Sequence, residues 1–401
     1  MISIAPAGDP IPAVARPSRD VSIDFLRTVL TLMVLAHHSS LAYTTFAHFD
    51  PQNPWRSTAP VVDTTRWVFF DYAENFNDVF FMSLMFFVSG LFVFQSLRRH
   101  GTLGFLQDRA LRLGVPFAFA VVLLMPLAYY ASWQLTGRST GFLDFYRRLA
   151  AGGFAAGPPW FVWVLLLFDV MFTLALLPFR RWVPCFGTHM RRLQDHPGAA
   201  FAALFALSAK VYLPLLFRYG FGQWTNLLTA PFSFQTCRIG LYTLWFGFGL
   251  LVGIGGLSEG LLARNGLLAR HWGLWLTGCA LAYNALWWLP GWPAFGRLTS
   301  PHGAVVHALL WVLSCVASCF GFLALFRGTS MRSHPWMNSL ARSAYIMYLV
   351  HYVFITWSQR LLLGRPIPAG VKFLFVFLST TLLSWLTAQA LLRIPKLRAI
   401  L

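Results

Sequence analysis

Charge is what this sequence has least of. Only 11% of its 401 residues are Asp, Glu, Lys or Arg, against about 25% in a typical soluble domain. Apolar residues make up 57%, with 39 Phe and 17 Trp. This excludes an ordinary soluble globular domain and predicts a polytopic membrane protein. Acid is the scarcer sign: 13 Asp and Glu face 31 Lys and Arg, 28 of them Arg, for a net charge of +18. The basic residues form no runs and no aromatic-interleaved patches. Nucleic acid is therefore not an expected partner, and the excess reads as membrane topology and contact with anionic ligands. Cysteine is sparse too. Cys185, Cys237, Cys279, Cys315 and Cys319 are scattered, mostly in or beside apolar segments. They suggest neither a disulfide framework nor a zinc site, and no metal is expected. Residues 1–20, MISIAPAGDPIPAVARPSRD, lack the apolar core of a signal peptide. Being Pro-rich and polar, they read as a short disordered cytoplasmic tail before a single transmembrane domain over 21–401.

What is present in quantity is apolar runs of bilayer length. Ten candidate spans fall at 22–43, 76–97, 114–134, 159–179, 198–217, 238–256, 272–290, 303–326, 343–363 and 371–393, predicting an all-α protein of about ten transmembrane helices. With the amino end inside, the inside segments hold 18 Arg and Lys and the outside segments 11. The positive-inside bias places both termini in the cytoplasm.

The first span, SIDFLRTVLTLMVLAHHSSLAY, is the most informative. On a helix, Arg27 and His38 are eleven residues apart, so they share a face roughly 16 Å apart along the axis. His37 points about 100° away. Asp24 and Arg27 are spaced i,i+3 and can pair. Ionisable groups inside a membrane helix face a bundle interior or a water-filled cavity and mark function, although an arginine that snorkels to the headgroups would show the same spacing.

Other polar groups follow in order. Asp71, Glu74, Asn75, Asn77 and Asp78 crowd the start of the second span, where they either line an entry for a hydroxylated substrate or form a solvated helix start. Arg109 and Arg112 share a helix face on the inside, a pattern suited to phosphates as well as to headgroups. Gly114 breaks the chain before Pro116 opens the third span. Gly152–Gly153 and Gly157–Pro158–Pro159–Trp160 form a rigid outside turn. Asp169 and Lys210, both near mid-bilayer, are expected to neutralise each other. The inside stretch 180–197, with four Arg, His189 and His196, reads as an anchor. Tyr345, Tyr348 and His351 lie along one side of the ninth span, where a tyrosine beside a membrane histidine can fix its tautomer or pass a proton.

Several of these pieces, in this order, resemble the bacterial membrane-bound acyltransferase 3 family, which includes O-acetyltransferases of surface polysaccharides and the glucans biosynthesis protein C group. The matching residues are Arg27-x10-His38, FFVSG with Ser89 and Gly90, RALR with Arg109 and Arg112, PPWFVWVLL around Trp160, and AYIMYLVH ending in His351. One departure is that Ala344 stands where the family commonly has Ser, with Ser343 one place early. The resemblance implies transfer of an acetyl or succinyl group from cytoplasmic acetyl-CoA or succinyl-CoA to a hydroxyl of an envelope glycan or glycolipid, in the bacterial inner membrane. It implies His38 as general base, or as carrier of the acyl group. Arg27, with which Asp24 can pair, would attract the CoA end or stabilise developing negative charge, and His351 with Tyr348 would form a second polar wall. Arg109, Arg112 and Ser89 would lie on the acyl-CoA side. No appended soluble domain is expected, membrane lipid is a partner, and a homo-oligomer is left open.

A different class of function also suits intramembrane His38, Asp169, Lys210 and His351: a proton-coupled transporter or a flippase. The two halves of the chain show no persuasive inverted repeat, and a scaffold role in envelope synthesis is a third reading. Saturable CoA binding that depends on Arg109 and Arg112 distinguishes the acyltransferase from both.

Overall fold

The computed structural model of the chain describes residues 20–54, 57–138, 140–179, 195–291, 300–329 and 332–400. Most of the expected amino-terminal tail and of the arginine-rich inside stretch, with Cys185 and His189, lies outside the described residues.

Helices occupy all ten expected segments. They are α1 (Val21–Ser40), α2 (Val68–Gly90), α3 (Val93–Thr136), α5 (Trp160–Leu176) after the short amphipathic α4 (Phe142–Gly152), and α6 (Pro197–Tyr219). Then come α7 (Ile239–Gly255), α8 (Trp272–Trp288), α9 (Pro301–Gly328), α10 (Pro335–Leu362) and α11 (Ala369–Leu392). Among the described residues six helices are long and apolar enough to cross a membrane, namely α1, α3, α6, α7, α9 and α11 with their flanking turns. α2 and α10 are long but more polar, while α5 and α8 have 17 residues each. The one sheet among the described residues is an antiparallel hairpin of β1 (Trp224–Asn226) and β2 (Ser233–Gln235), between α6 and α7.

Local chemistry explains the helix ends and breaks. Asp20 caps α1 by accepting from the backbone N–H of Ser22 at 3.1 Å and of Ile23 at 3.4 Å, which satisfies two of the donors every helix start leaves open. Arg327, buried at the end of α9, clasps that cap. It donates to Asp20 at 2.6 Å, to Ser22 Oγ at 2.9 Å, and to the carbonyls of Leu262 and Leu257 at 2.6 and 2.9 Å. The expected break at Gly114 is absent, because Gly114 is helical at φ −65° and α3 runs through it. Two π turns, Ala110–Gly114 and Ala120–Leu124, each end two residues before a proline, Pro116 and Pro126. Widening the helix there accommodates a ring with no N–H to donate. The real interruption comes earlier, at Gly101, whose φ of 69° and ψ of 175° divide α3 into two helices end to end.

α1 is enclosed by α2, α10 and α11, and α2 packs in turn on α7 and α9. The α2–α7 crossing is set by three glycines. A methyl group at Gly90, Gly249 or Gly253 would collide with the backbone carbonyl of Phe246, Phe87 or Leu91 respectively. Gly249 and Gly253 are four apart, the spacing that lets membrane helices approach backbone to backbone. At the other flank Gly321 of α9 lies against Cys279 of α8.

Candidate active site

The carboxyl end of α1, the start of α2 and the middle of α10 bring three histidines together. His38 stands between the other two: its ring centroid is 5.0 Å from that of His37, edge to face, and 5.4 Å from that of His351. Tyr352 packs edge-on against His38 at 5.2 Å, and Tyr129 of α3 packs on Tyr352 at 6.0 Å. Gln359 of α10 donates its side-chain amide to the carbonyls of His38 and Ser39 at 3.1 and 3.3 Å. That amide ties down carbonyls the last turn of a helix cannot satisfy itself.

His351 is fully buried, and its Nδ1 lies 2.5 Å from the carbonyl of Tyr348. An acceptor there requires Nδ1 to carry the hydrogen, which leaves Nε2 as a lone pair. Among the described residues neither His351 Nε2 nor His38 Nδ1 has a hydrogen-bond partner. Tyr348 acts on the histidine through its backbone. Its hydroxyl donates instead to the carbonyl of Pro158, which fixes the Pro158–Pro159–Trp160 turn to α10.

His37 faces α2. Its Nε2 is 3.7 Å from Glu74 Oε1. One turn further along α2, Asp78 is held by two nitrogens of Arg238, with Nη1 at 2.8 Å from Oδ1. Arg238, only 2% exposed, is also covered by Phe221 and Trp311, whose ring centroids lie 4.5 and 4.9 Å from its guanidinium carbon. Asp71 is occupied at the membrane end, accepting from the Thr45 N–H at 2.7 Å and from the Thr45 hydroxyl. Asp71, Glu74 and Asp78 thus share one face of α2 and are built into the bundle. The 3-4 spacing of these acids signals that face in the sequence. Glu74 and Asp78 belong to the acidic group expected at a substrate entry or a solvated helix start, but nothing in the sequence identifies Arg238 or His37 as their partners. Arg238, His37, Tyr352 and Gln359 are not among the expected site residues.

The residues expected on the acyl-CoA side are divided. Arg109 points inward, its Nε 3.5 Å from Asp169 Oδ2 of α5, while Arg112 is exposed and binds Asp108 at 2.7 Å. Asp169 therefore has Arg109 as its ionic neighbour and not Lys210, which is exposed on α6. The expected Asp169–Lys210 pair does not form, because α6 turns Lys210 away from the bundle. Tyr345 donates to the carbonyl of Arg112 at 2.8 Å, docking α10 on the first π turn of α3. Ser89 bonds within its own helix, to the Met85 carbonyl at 2.8 Å. Arg27 is exposed and Asp24 half-buried, three turns from the histidines at the other end of α1.

A cavity of about 1360 Å³ reaches His38 and Tyr352 from the end of the bundle formed by the 44–67 loop, α4 and the β1–β2 hairpin. Its wall includes the glycine-rich turn 152–157, where Gly153 at φ 95° and Gly157 at φ 54° adopt backbone that other residues rarely do. Trp163 of α5 pins the hairpin by donating to the Ser233 carbonyl at 2.9 Å. The 44–67 loop is pinned through Asp63, whose carboxylate takes Lys372 Nζ of α11 at 2.7 Å, both groups buried.

Residues 20–389 match the family model described as an acyltransferase domain, acyltransferase 3. The chain belongs to that family. No curated protein and no solved structure matches it. Family membership and the apolar helices together make the chain a membrane acyltransferase. The match runs from the α1 cap into α11, and so takes in every residue of the histidine cluster.

Proposed function

We propose that the chain is an O-acyltransferase that moves an acetyl or succinyl group from acyl-CoA to a hydroxyl of an envelope glycan or glycolipid, with His38 as general base. The observation that carries this reading is the position of His38, an imidazole enclosed by His37, His351 and Tyr352 yet lining a cavity large enough for a sugar. An imidazole at hydrogen-bond distance from an acceptor hydroxyl takes its proton as the oxygen attacks the thioester carbonyl. The tetrahedral intermediate collapses with loss of the CoA thiolate, to which the imidazolium returns the proton. His351 Nε2, a lone pair on the ring packed beside His38, steadies the protonated His38.

In this reading the ten helical segments all cross the bacterial inner membrane with both termini in the cytoplasm, as the distribution of arginine supports. The cavity then opens on the periplasmic side, where a glycan is found. Arg112 and Arg109 lie at the opposite end and bind the phosphates of CoA, Arg109 sharing its charge with Asp169. Arg27, exposed and three turns from His38, lies on the donor side and attracts the CoA end.

The test is thermal unfolding of detergent-purified protein with CoA, acetyl-CoA and succinyl-CoA, beside an Arg109→Ala/Arg112→Ala variant. A ligand that binds only the folded state raises the unfolding temperature. A shift lost in the variant is expected, and its rank order identifies the donor. Folded protein that responds to none of the three would remove acyl-CoA from the mechanism.

A further inference from the structure

The composition of the cavity wall is more selective than acyl transfer alone requires. Among its described lining residues there is no carboxylate, and Arg148 is the single fixed charge. Arg148 stands on α4 one turn after Phe145, which with Leu149 is buried and holds the helix against Tyr129 and Trp133 of α3. Asp144 of α4 lies 3.4 Å from Arg147 on the exposed side of that helix. Among the described residues no acid pairs with Arg148. A second guanidinium, that of Arg138, sits 4.7 Å from the ring centroid of Trp133 at the same rim.

The rest of the wall suits a carbohydrate. Trp133, Trp160 and Trp224 line it, the last two edge to face at 5.6 Å, together with the carboxamides of Asn53, Gln223 and Asn226. Indole faces take the C–H face of a pyranose, and carboxamides both donate to and accept from its hydroxyls. A wall with guanidinium and no carboxylate adds a sign preference. It attracts an anion, offers no carboxylate to a cation, and leaves the charge of Arg148 uncompensated by a neutral sugar.

We infer that the cavity binds a carbohydrate carrying a carboxylate or phosphate group, which Arg148 recognises. The inference rests on the acyl-transfer reading for the fate of that sugar as acceptor, and on the cavity alone for its binding. Isothermal titration calorimetry of the full-length protein in detergent tests it with three probes. These are a neutral glucose trisaccharide, the same trisaccharide ending in glucuronate, and the same bearing a terminal phosphate. One or both anionic probes should bind about tenfold or more tighter than the neutral one, the scale of a single charge-assisted hydrogen bond. Arg148→Gln should bring them to the neutral affinity, Arg148→Lys should restore part of the preference, and the two anionic arms identify which group is read. Equal binding of all three probes, a preference that survives Arg148→Gln, or no saccharide binding by folded protein would each overturn it. Arg148-dependent binding without acylation of the bound sugar from any acyl-CoA would instead leave this inference standing and remove the acyl-transfer reading.

Discussion

His38 of α1 and His351 of α10 face each other with ring centroids 5.4 Å apart and planes inclined by 33°. Because Nδ1 of His351 is hydrogen-bonded to a backbone carbonyl, Nε2 is the ring nitrogen left to accept. Replacing His38 by Ala should lower acyl transfer by about 100-fold or more, the usual scale of a lost general base, with the unfolding temperature nearly unchanged. Transfer within a few-fold of the parent would remove His38 from the chemistry.

His351→Gln should give a different result. The amide can still donate toward the Tyr348 carbonyl, but it lacks the basic imidazole nitrogen beside His38. The variant should therefore fold, lose a large part of kcat and keep KM for acyl-CoA. A change confined to KM would place His351 in donor binding instead.

The Asp78–Arg238 pair is expected to matter for stability. Removing one partner of a buried pair leaves an uncompensated charge and costs about 3 kcal/mol or more. Asp78→Ala should fall in that range by chemical denaturation in mild detergent, whereas Asp78→Leu with Arg238→Met should regain much of the loss. If the single and double variants were equally unstable, the pair would not be acting as a unit.

At the α2–α7 crossing the backbones leave no room for side chains. Gly249→Leu should abolish accumulation of folded protein, and Gly249→Ala should lower the unfolding temperature by several degrees, since overpacking of this kind costs about 1–3 kcal/mol. Gly273→Ala, where a methyl group meets nothing within 4 Å, is the control and should be neutral or slightly stabilising.

The Asp20 cap gives a pH dependence. Burial alone would raise its carboxyl, but hydrogen bonds from Ser22 and Arg327 and the Arg327 charge outweigh it and hold the pKa below the ordinary carboxylate value. The unfolded chain therefore takes up a proton first. The cap's stabilisation is complete above the unfolded value of about 4 and is lost as pH falls through the lower folded value. Unfolding temperature should decline on acidification from pH 5 to pH 3, and Asp20→Asn should flatten that decline. Equal slopes in the two proteins would assign the acid sensitivity elsewhere.

The helix positions were legible because each is a long apolar run, and a run of that kind has few other conformations open to it in a bilayer. His38 and His351 were legible because their cost in a membrane singles them out. The partners were not. Asp169 faces Arg109 and not Lys210 because pairing depends on which helices are neighbours and how each is rotated. Both are tertiary facts that periodicity within one segment cannot contain. The π turns of α3 were hidden for a related reason: Gly114 and Pro116 signal a break, yet a helix supported by its neighbours absorbs the proline by local widening.

Arg327 and Lys372 also bear on biogenesis. A chain leaves the ribosome amino end first, so α1 is made before either cation that its surroundings require. Asp20 meets Arg327 only when α9 has entered, and Asp63 meets Lys372 only with α11. The helices that enclose α1 on its other side, α10 and α11, enter after α9. α1 thus stays open on the α11 side until that helix enters, and a nascent chain halted before Ala369 leaves Asp63 without its Lys372 partner.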